Sequence, residues 1–260
     1  MRQVIFHAGF HKTGTTALQQ TLRANRAALR PDVRLVLRPG MKALCESARA
    51  YSKSREDYDL GLVKYEAAHL AEALEDEDAT TIVLSAEDLS GHMPGRHGIR
   101  TYGAAPHLMR ALAVAFLAVN PDTQLTYLFT TRAPAPWLRS CYGQHLRAHR
   151  MVLEEAEYVK KLKLSAAHGQ MIEQIRLELP DHTVLSAALE DYSKRRLGLA
   201  EAVLDHIKLG TERRAALVAS PERNAALPAD VQAQLLVLNR SELEAKPLRE
   251  AKRALIEGAG

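Results

Sequence analysis

The sequence predicts an α/β fold in which helices cover both faces of a central, mostly parallel sheet. Short apolar segments rich in β-branched residues recur through the first 190 residues, and longer segments with helical spacing separate them. Beyond Ala188 the patterns are helical. Strands that alternate with amphipathic helices are typical of βαβ units, whose strands run parallel. We therefore expect one sheet followed by a helical C-terminal region.

Four segments predict the strands of this sheet. Each is apolar and bounded by polar or turn-forming residues. The segments are QVIFHA near the start, TTIVLSA from Thr80, QLTYLFTTR from Gln124 and HTVLSA from His182. A weaker pattern around VRLVLRP allows a fifth strand.

Helical spacing follows the first strand at Ala17, Leu18 and Leu22. Further helices are predicted over about residues 64–74, 104–119, 136–149 and 166–179. Near the C-terminus, GLAEAVLDHIKLG reads as a helix capped by Gly210, and PADVQAQLLVLNRSELEA reads as a helix that begins with Pro228 in its first turn.

Length and composition favour a single domain over residues 1–260, because 47% of the chain is hydrophobic and can fill one large core. The 35 basic residues are nearly balanced by 31 acidic ones, so no nucleic-acid partner is expected, whereas a local basic pocket for a small polyanion is compatible. Two distant cysteines indicate a reducing compartment. Without an apolar stretch of about 18 residues we expect no membrane span and a soluble, cytoplasmic protein.

The segment HAGFHKTGTTALQQTL, from His7 to Leu22, predicts a strand, a tight loop and a helix. Such a loop places free backbone N–H groups at a helix N-terminus, and Lys12 adds an ammonium group, so the loop suits a phosphate or sulfate. A Walker loop requires lysine directly after its second glycine. Gly9 and Gly14 have the Walker spacing, but Thr15 stands where that lysine would be. The loop therefore does not match an ordinary ATP or GTP site.

Other polar groups follow the remaining strands. In open parallel sheets ligands bind at the carboxyl ends of the strands, so we expect these groups to converge on one crevice. They are His11, Lys12, Thr13, Gly14, Thr15 and Thr16 after the first strand, Glu87 and Asp88 after the second, and Arg132 with Ser140 eight residues later after the third. The eleven histidines show no metal-ligand spacing, and no metal is expected.

Together, FHKTGTT and the Arg132–Ser140 pair resemble the two cofactor signatures of the sulfotransferases that use 3′-phosphoadenosine 5′-phosphosulfate (PAPS). The resemblance implies a P-loop-kinase-like sulfotransferase fold over the chain. It implies that residues 11–16 hold the 5′-phosphosulfate and that Arg132 and Ser140 hold the 3′-phosphate. The family pattern R-[DN]-P is Arg132-Ala133-Pro134 here, and the R-K-G element of the animal cytosolic enzymes has no clear counterpart, for which Arg223 is a candidate.

The SAED segment stands where the family places its catalytic base, which implies that Glu87 takes the proton of the acceptor. A glutamate here resembles the carbohydrate-directed branch, whereas the branch that acts on phenols and steroids uses histidine. His92 and His97 keep the histidine alternative open. PERNAAL and the helix ending in LLVLNR are similar to the C-terminal part of bacterial members. Structural roles are also open, because Glu87 can cap a turn or pair with Lys12.

The expected activity is transfer of a sulfuryl group from PAPS to a hydroxyl or amine of a saccharide, glycolipid or small molecule, with the 3′,5′-bisphosphate as product. Lys12 and Glu87 are the expected catalytic residues, and no metal takes part. Acceptor contacts are expected from residues 91–103 and 145–161, whose arginines are Arg96, Arg100, Arg147 and Arg150. Two alternatives remain: a phosphotransferase with an aberrant P-loop, and a non-catalytic PAPS-binding module.

Overall fold

A computed structural model of the chain describes residues 2–220 and 227–258. Its centre is a parallel sheet of five strands in the order β2-β3-β1-β4-β5. The strands are β1 (Gln3–His7), β2 (Val33–Leu37), β3 (Thr81–Ser85), β4 (Gln124–Thr131) and β5 (Thr183–Ala188). The predicted α/β class and parallel sheet are confirmed, and the weaker VRLVLRP pattern forms the edge strand β2.

Helices and short turns occupy most of the chain between and after the strands. The α-helices are α1 (Thr15–Ala24), α2 (Arg26–Leu29), α3 (Lys42–Ser54), α4 (Asp57–Ala73), α5 (Ala105–Val119), α6 (Pro134–Ala148), α7 (Glu155–Leu162), α8 (His168–Glu178), α9 (Leu189–Tyr192), α10 (Glu201–Leu204), α11 (Thr211–Ala216), α12 (Ala229–Arg240) and α13 (Ala245–Glu257). Turns of 3₁₀ helix lie at Arg38–Met41, Glu87–Ser90, Lys163–Ala166 and Gly198–Ala200.

The sequence correctly predicts α5, α6 and α8 to within a few residues, but two C-terminal predictions are wrong in length. The helix expected up to Leu209 is a 3₁₀ turn followed by α10, which ends at Leu204. The helix expected from Pro228 through residue 245 is interrupted after Arg240, where Ser241 takes an extended conformation and its hydroxyl accepts a hydrogen bond from the N–H of Leu243. Serine side chains compete in this way with helical hydrogen bonds.

Each face of the sheet carries its own apolar core, because alternate side chains of a strand point to opposite sides. Val4 and Phe6 of β1 lie in the core that is covered by α3 to α8 and α12. Ile5 lies in the opposite core, which is covered by α1, α2 and the segment 197–204. Helices therefore flank both faces, as the alternating pattern predicted.

The two C-terminal helices fix the end of α6. Lys252 of α13 is buried and donates hydrogen bonds to the carbonyls of Leu146 and His149, both over 2.7 Å. Asn239 of α12 donates to the Leu146 carbonyl over 3.1 Å. These donors satisfy carbonyls that a helix end leaves without partners. Among the helices of residues 2–220 and 227–258, none has the length and apolar character needed to span a membrane.

Candidate functional site

The carboxyl end of β1, the central strand, is the place where the sequence predicts a ligand crevice. Helix α1 leaves β1 toward one face of the sheet, whereas α5 and α6 follow the neighbouring strands β3 and β4 on the other face. Ligands of open α/β sheets bind where successive connections diverge in this way. The loop after β1, the turn after β3 and Arg132 after β4 lie at this edge of the sheet.

The loop between β1 and α1 lies directly against the end of β4. The N–H of Phe10 donates to the Thr130 carbonyl over 3.4 Å, and the hydroxyls of Thr13 and Thr130 are 2.7 Å apart. A Cβ at Gly9 would lie 2.1 Å from the Thr130 hydroxyl oxygen and 2.9 Å from Nε2 of His7. Gly9 is therefore required for this close approach.

Lys12 lies at the apex of this loop with φ +65°, a left-handed conformation that costs about 1 kcal/mol or more for residues with a Cβ. Its carbonyl accepts a hydrogen bond from Nη1 of Arg132 over 3.4 Å. Burial is the main cause that lowers the pKa of Lys12, and the positive charges of Arg147 and Arg132 lower it further, while Cys141 and Glu87 oppose them. The loop thus holds an ammonium group close to two guanidinium groups.

Helix α1 begins directly after this loop. Gly14 precedes the first turn with φ +93°, which glycine adopts without strain. Thr15 is buried and Thr16 is exposed. Within the described part of the chain, no side chain accepts a hydrogen bond from the N–H groups of this first turn. These donors are available to an anion, as at other helix N-termini.

Arg132 directly follows β4, and Ser140 lies in α6. Arg132 is partly exposed and forms no ion pair with any carboxylate in the described residues. The indole N–H of Trp137 donates to the His11 carbonyl over 2.7 Å, which fixes α6 against the loop. Ser140 is partly exposed and follows Trp137 by three residues, so both side chains lie on neighbouring positions of one helix face.

Glu87 begins the 3₁₀ turn after β3 and is half-buried. One of its carboxylate oxygens accepts a hydrogen bond from the side-chain amide of Gln19, in α1, over 3.2 Å. The carboxylate also raises the pKa of Lys12, so the two groups are electrostatic neighbours. With one neutral hydrogen-bond donor in the described residues, this carboxylate has free lone pairs for a proton.

The carboxylate of Asp88, unlike that of Glu87, lies beside several basic side chains. Its carboxylate lies 2.5 Å from Nε of Arg38, 3.5 Å from Nε2 of His11 and 3.9 Å from Nε of Arg49. Burial raises the pKa of Asp88, but the hydrogen bonds and positive charges of His11 and Arg38 outweigh burial and lower the pKa to about 2. Asp88 therefore remains ionised and holds cations.

The two candidate histidines lie in a cleft beside the loop. The rings of His92 and His97 have centroids 4.9 Å apart. Burial and the positive charges of Arg49, His97 and other neighbours lower the pKa of His92 to about 4. Both histidines line the cleft together with Arg100. Arg150 instead donates to the carbonyls of Ser241 and Leu243, and Arg223 lies outside the described residues.

Sequence reasoning did not identify several residues that shape the site. Gln19 lies one turn after Thr15 and Thr16 on α1, a spacing that could have revealed it. Asp88 was expected at the crevice, but its partners His11 and Arg38 are remote from it in sequence and were not identified. Tyr102, whose hydroxyl accepts the His11 N–H over 3.0 Å, comes from the connection before α5 and gave no signal in the pattern.

Three separate segments therefore meet at the carboxyl edge of the sheet: the loop after β1, the turn after β3, and the end of β4 with α6. They bring Lys12, Arg132 and Glu87 into one electrostatic neighbourhood. A comparison with models of protein families gives no matching family, and a comparison with curated proteins gives no match.

Proposed function

We propose that the protein is a sulfotransferase that uses PAPS and has the P-loop-kinase-like sulfotransferase fold. One observation carries the proposal. Lys12 and Arg132, which are 120 residues apart, meet at the same crevice through the hydrogen bond from the Arg132 guanidinium to the Lys12 carbonyl. The two cofactor signatures of the sequence are thereby adjacent, as a donor with phosphates at both ends of its adenosine requires.

The donor occupies the crevice with its phosphosulfate on the loop. The Lys12 ammonium and the free N–H groups at the start of α1 bind the 5′-phosphosulfate, since both favour anions. Thr13 shapes the loop, because its hydroxyl is used in hydrogen bonds to Thr130 and to the Phe10 carbonyl. His11, Gly14, Thr15 and Thr16 complete the proposed phosphosulfate site.

The 3′-phosphate is bound at the opposite end by Arg132 and Ser140. A guanidinium group donates two parallel hydrogen bonds to a phosphate, and the serine hydroxyl adds a third donor from α6. The absence of an ion pair for Arg132 within the described residues supports this role. Arg223 stays a predicted further contact.

The chemistry is in-line transfer at sulfur. The acceptor oxygen or nitrogen forms a bond to sulfur while the bond from sulfur to the bridging phosphate oxygen breaks. Glu87 takes the proton of the acceptor, and the 3′,5′-bisphosphate leaves. Negative charge grows on the departing phosphate, where Lys12 and the backbone amides stabilise it without reorganisation. His92 or His97 is the alternative base.

Two other functions remain as alternatives. A phosphotransferase is disfavoured because Thr15 replaces the lysine of a Walker loop. A non-catalytic PAPS-binding module has no need of Glu87, a half-buried carboxylate that is electrostatically coupled to Lys12. Glu87 therefore favours an enzyme.

Calorimetry and labelled transfer test the proposal together. Adenosine 3′,5′-bisphosphate should bind without metal, and ATP with Mg²⁺ should bind much more weakly. Lys12→Met should weaken bisphosphate binding and abolish transfer from radiolabelled PAPS to a panel of saccharides, lipids and phenols. Lys64→Met, at an exposed position of α4, is the matched control. Preferential binding of ATP with Mg²⁺, or full activity of Lys12→Met, would contradict the proposal.

A further inference from the structure

A cleft of about 370 Å³ opens beside the loop that follows β1. It lies between the C-terminal end of α3 and the segment that precedes α5. Its volume is at the lower end of the range for small-molecule sites. The cleft is therefore large enough for one ring-sized unit of a ligand.

Two residues of the cleft contact the proposed phosphosulfate loop. The hydroxyl of Ser90 donates to the Ala8 carbonyl. The hydroxyl of Tyr102 accepts the backbone N–H of His11 over 3.0 Å. Both side chains also line the cleft. Ser90 and Tyr102 thus connect the wall of the cleft to the loop where the sulfuryl group would lie.

The charged groups that line the cleft are all basic. Lys53, Arg55 and Arg100 line it, and no aspartate or glutamate of the described residues does so. None of these three cations lies within 4.0 Å of a carboxylate in the part of the chain that the structure describes. Arg55 instead lies over the ring of Tyr51, 5.1 Å from its centroid.

The positive charge of the cleft also affects its titratable neighbours. After burial, nearby cations are the causes that lower the pKa values of His92 and His97, among them Arg49, Arg96 and Lys53. Arg49 likewise lowers the pKa of Arg96. Several like charges held close together repel one another, and an anion in the cleft would relieve that repulsion.

We propose that this cleft binds the acceptor through an anionic group, a carboxylate, sulfate or phosphate, held by Lys53, Arg55 and Arg100. The acceptor class is a hydroxyl-bearing acid such as an acidic sugar, rather than a neutral saccharide or phenol. The proposal rests on the proposed sulfotransferase function and names its substrate class. Of the arginines that the sequence placed near the acceptor, Arg100 lines the cleft.

The histidine ring protons provide a direct test by NMR titration of the intact protein. D-glucuronate and D-glucose differ at one carboxylate, so they serve as matched probes. Glucuronate should give saturable shifts of the His92 and His97 resonances, and glucose should give shifts at least tenfold weaker at equal concentration. The Arg55→Gln/Arg100→Gln double variant should abolish the response. Lys246→Gln/Arg249→Gln, two exposed changes on α13, should retain it.

Three outcomes would overturn the proposal: no saturable shift with glucuronate, equal shifts with glucose, or an undiminished response in the Arg55→Gln/Arg100→Gln variant. Adenosine 3′,5′-bisphosphate is titrated into the same samples. Failure of the bisphosphate to bind contradicts the proposed function. The glucuronate titration then decides separately whether the cleft binds an anionic ligand. Normal bisphosphate binding without a glucuronate response overturns the acceptor class alone.

Discussion

The guanidinium group of Arg132 donates a hydrogen bond over 3.4 Å to the backbone carbonyl of Lys12, at the apex of the loop after β1. The two cationic side chains are thus held close together, and burial with the charges of Arg147 and Arg132 lowers the pKa of Lys12. Cations kept in proximity without a bound anion repel each other, which raises the affinity for a polyanion. The proposed donor supplies that charge at both of its ends.

Arg132→Ala tests whether this residue binds the 3′-phosphate end of the donor and not the 5′ end. We expect affinity for adenosine 3′,5′-bisphosphate to fall by about 10- to 100-fold, since hydrogen bonds to charged groups contribute about 1.5–3 kcal/mol. Affinity for adenosine 5′-monophosphate should change little, and calorimetry measures both. Arg139→Ala is the control, because Arg139 is an exposed residue of α6 that pairs with Glu155. Equal losses for the two nucleotides would remove Arg132 from the 3′-phosphate site.

Glu87→Gln should preserve donor binding and reduce turnover. The amide keeps the shape of the side chain and a carbonyl oxygen for the Gln19 hydrogen bond, but it cannot take the acceptor proton. Loss of a general base lowers rates by about 10²- to 10⁴-fold. Transfer from labelled PAPS measures the rate, and Glu46→Gln on the exposed face of α3 is the control. An unchanged rate would reassign the base to His92 or His97.

Asp88 should make stability depend on pH in the acid range. Its pKa is lowered to about 2 in the folded protein, because hydrogen bonds and charges from His11 and Arg38 outweigh burial. A carboxyl group with a depressed folded pKa contributes stability above its unfolded pKa of about 3.9 and loses that contribution as pH falls toward 2, here about 2 kcal/mol.

Urea unfolding at several pH values tests this contribution. Between pH 5 and pH 2 the native protein should lose about 2 kcal/mol more stability than the Asp88→Asn variant. Asp122→Asn, at an exposed turn before β4, should behave like the native protein. Parallel curves for the native protein and Asp88→Asn would show that the ion pairs of Asp88 carry no net stability.

The sheet and the loop after β1 could be predicted from the sequence because both depend on local patterns. Apolar runs specify the strands, and the glycine spacing with Lys12 specifies the loop. The cleft could not be predicted. Lys53 and Arg55 come from the end of α3, and only the tertiary fold brings them to Arg100.

The contacts that individual side chains make could not be predicted from the sequence either. Arg150 was expected to contact the acceptor because it is basic, yet its guanidinium group donates to two carbonyls between α12 and α13. Asp88 and Glu87 are neighbours in the sequence and differ in role because Arg38, which is 50 residues away, binds one of them. Sequence spacing does not encode such long-range pairs.

Gly9→Ala tests how closely the loop must approach β4. The new Cβ would lie 2.1 Å from the Thr130 hydroxyl oxygen, so the loop or β4 must shift at a cost of about 1–3 kcal/mol.

Thr130→Ala removes that oxygen and its 2.7 Å contact with Thr13, at a cost of about 1 kcal/mol. In the double variant the closest clash is removed, and the contacts with Nε2 of His7 at 2.9 Å and with the backbone nitrogen of residue 130 at 3.2 Å remain. Urea unfolding should therefore give a smaller loss for the double variant than the sum of the single losses. Gly169→Ala, in α8 where a Cβ meets nothing within 4 Å, should cause no loss of stability. Additive losses at Gly9 and Thr130 would mean that the close approach does not limit stability.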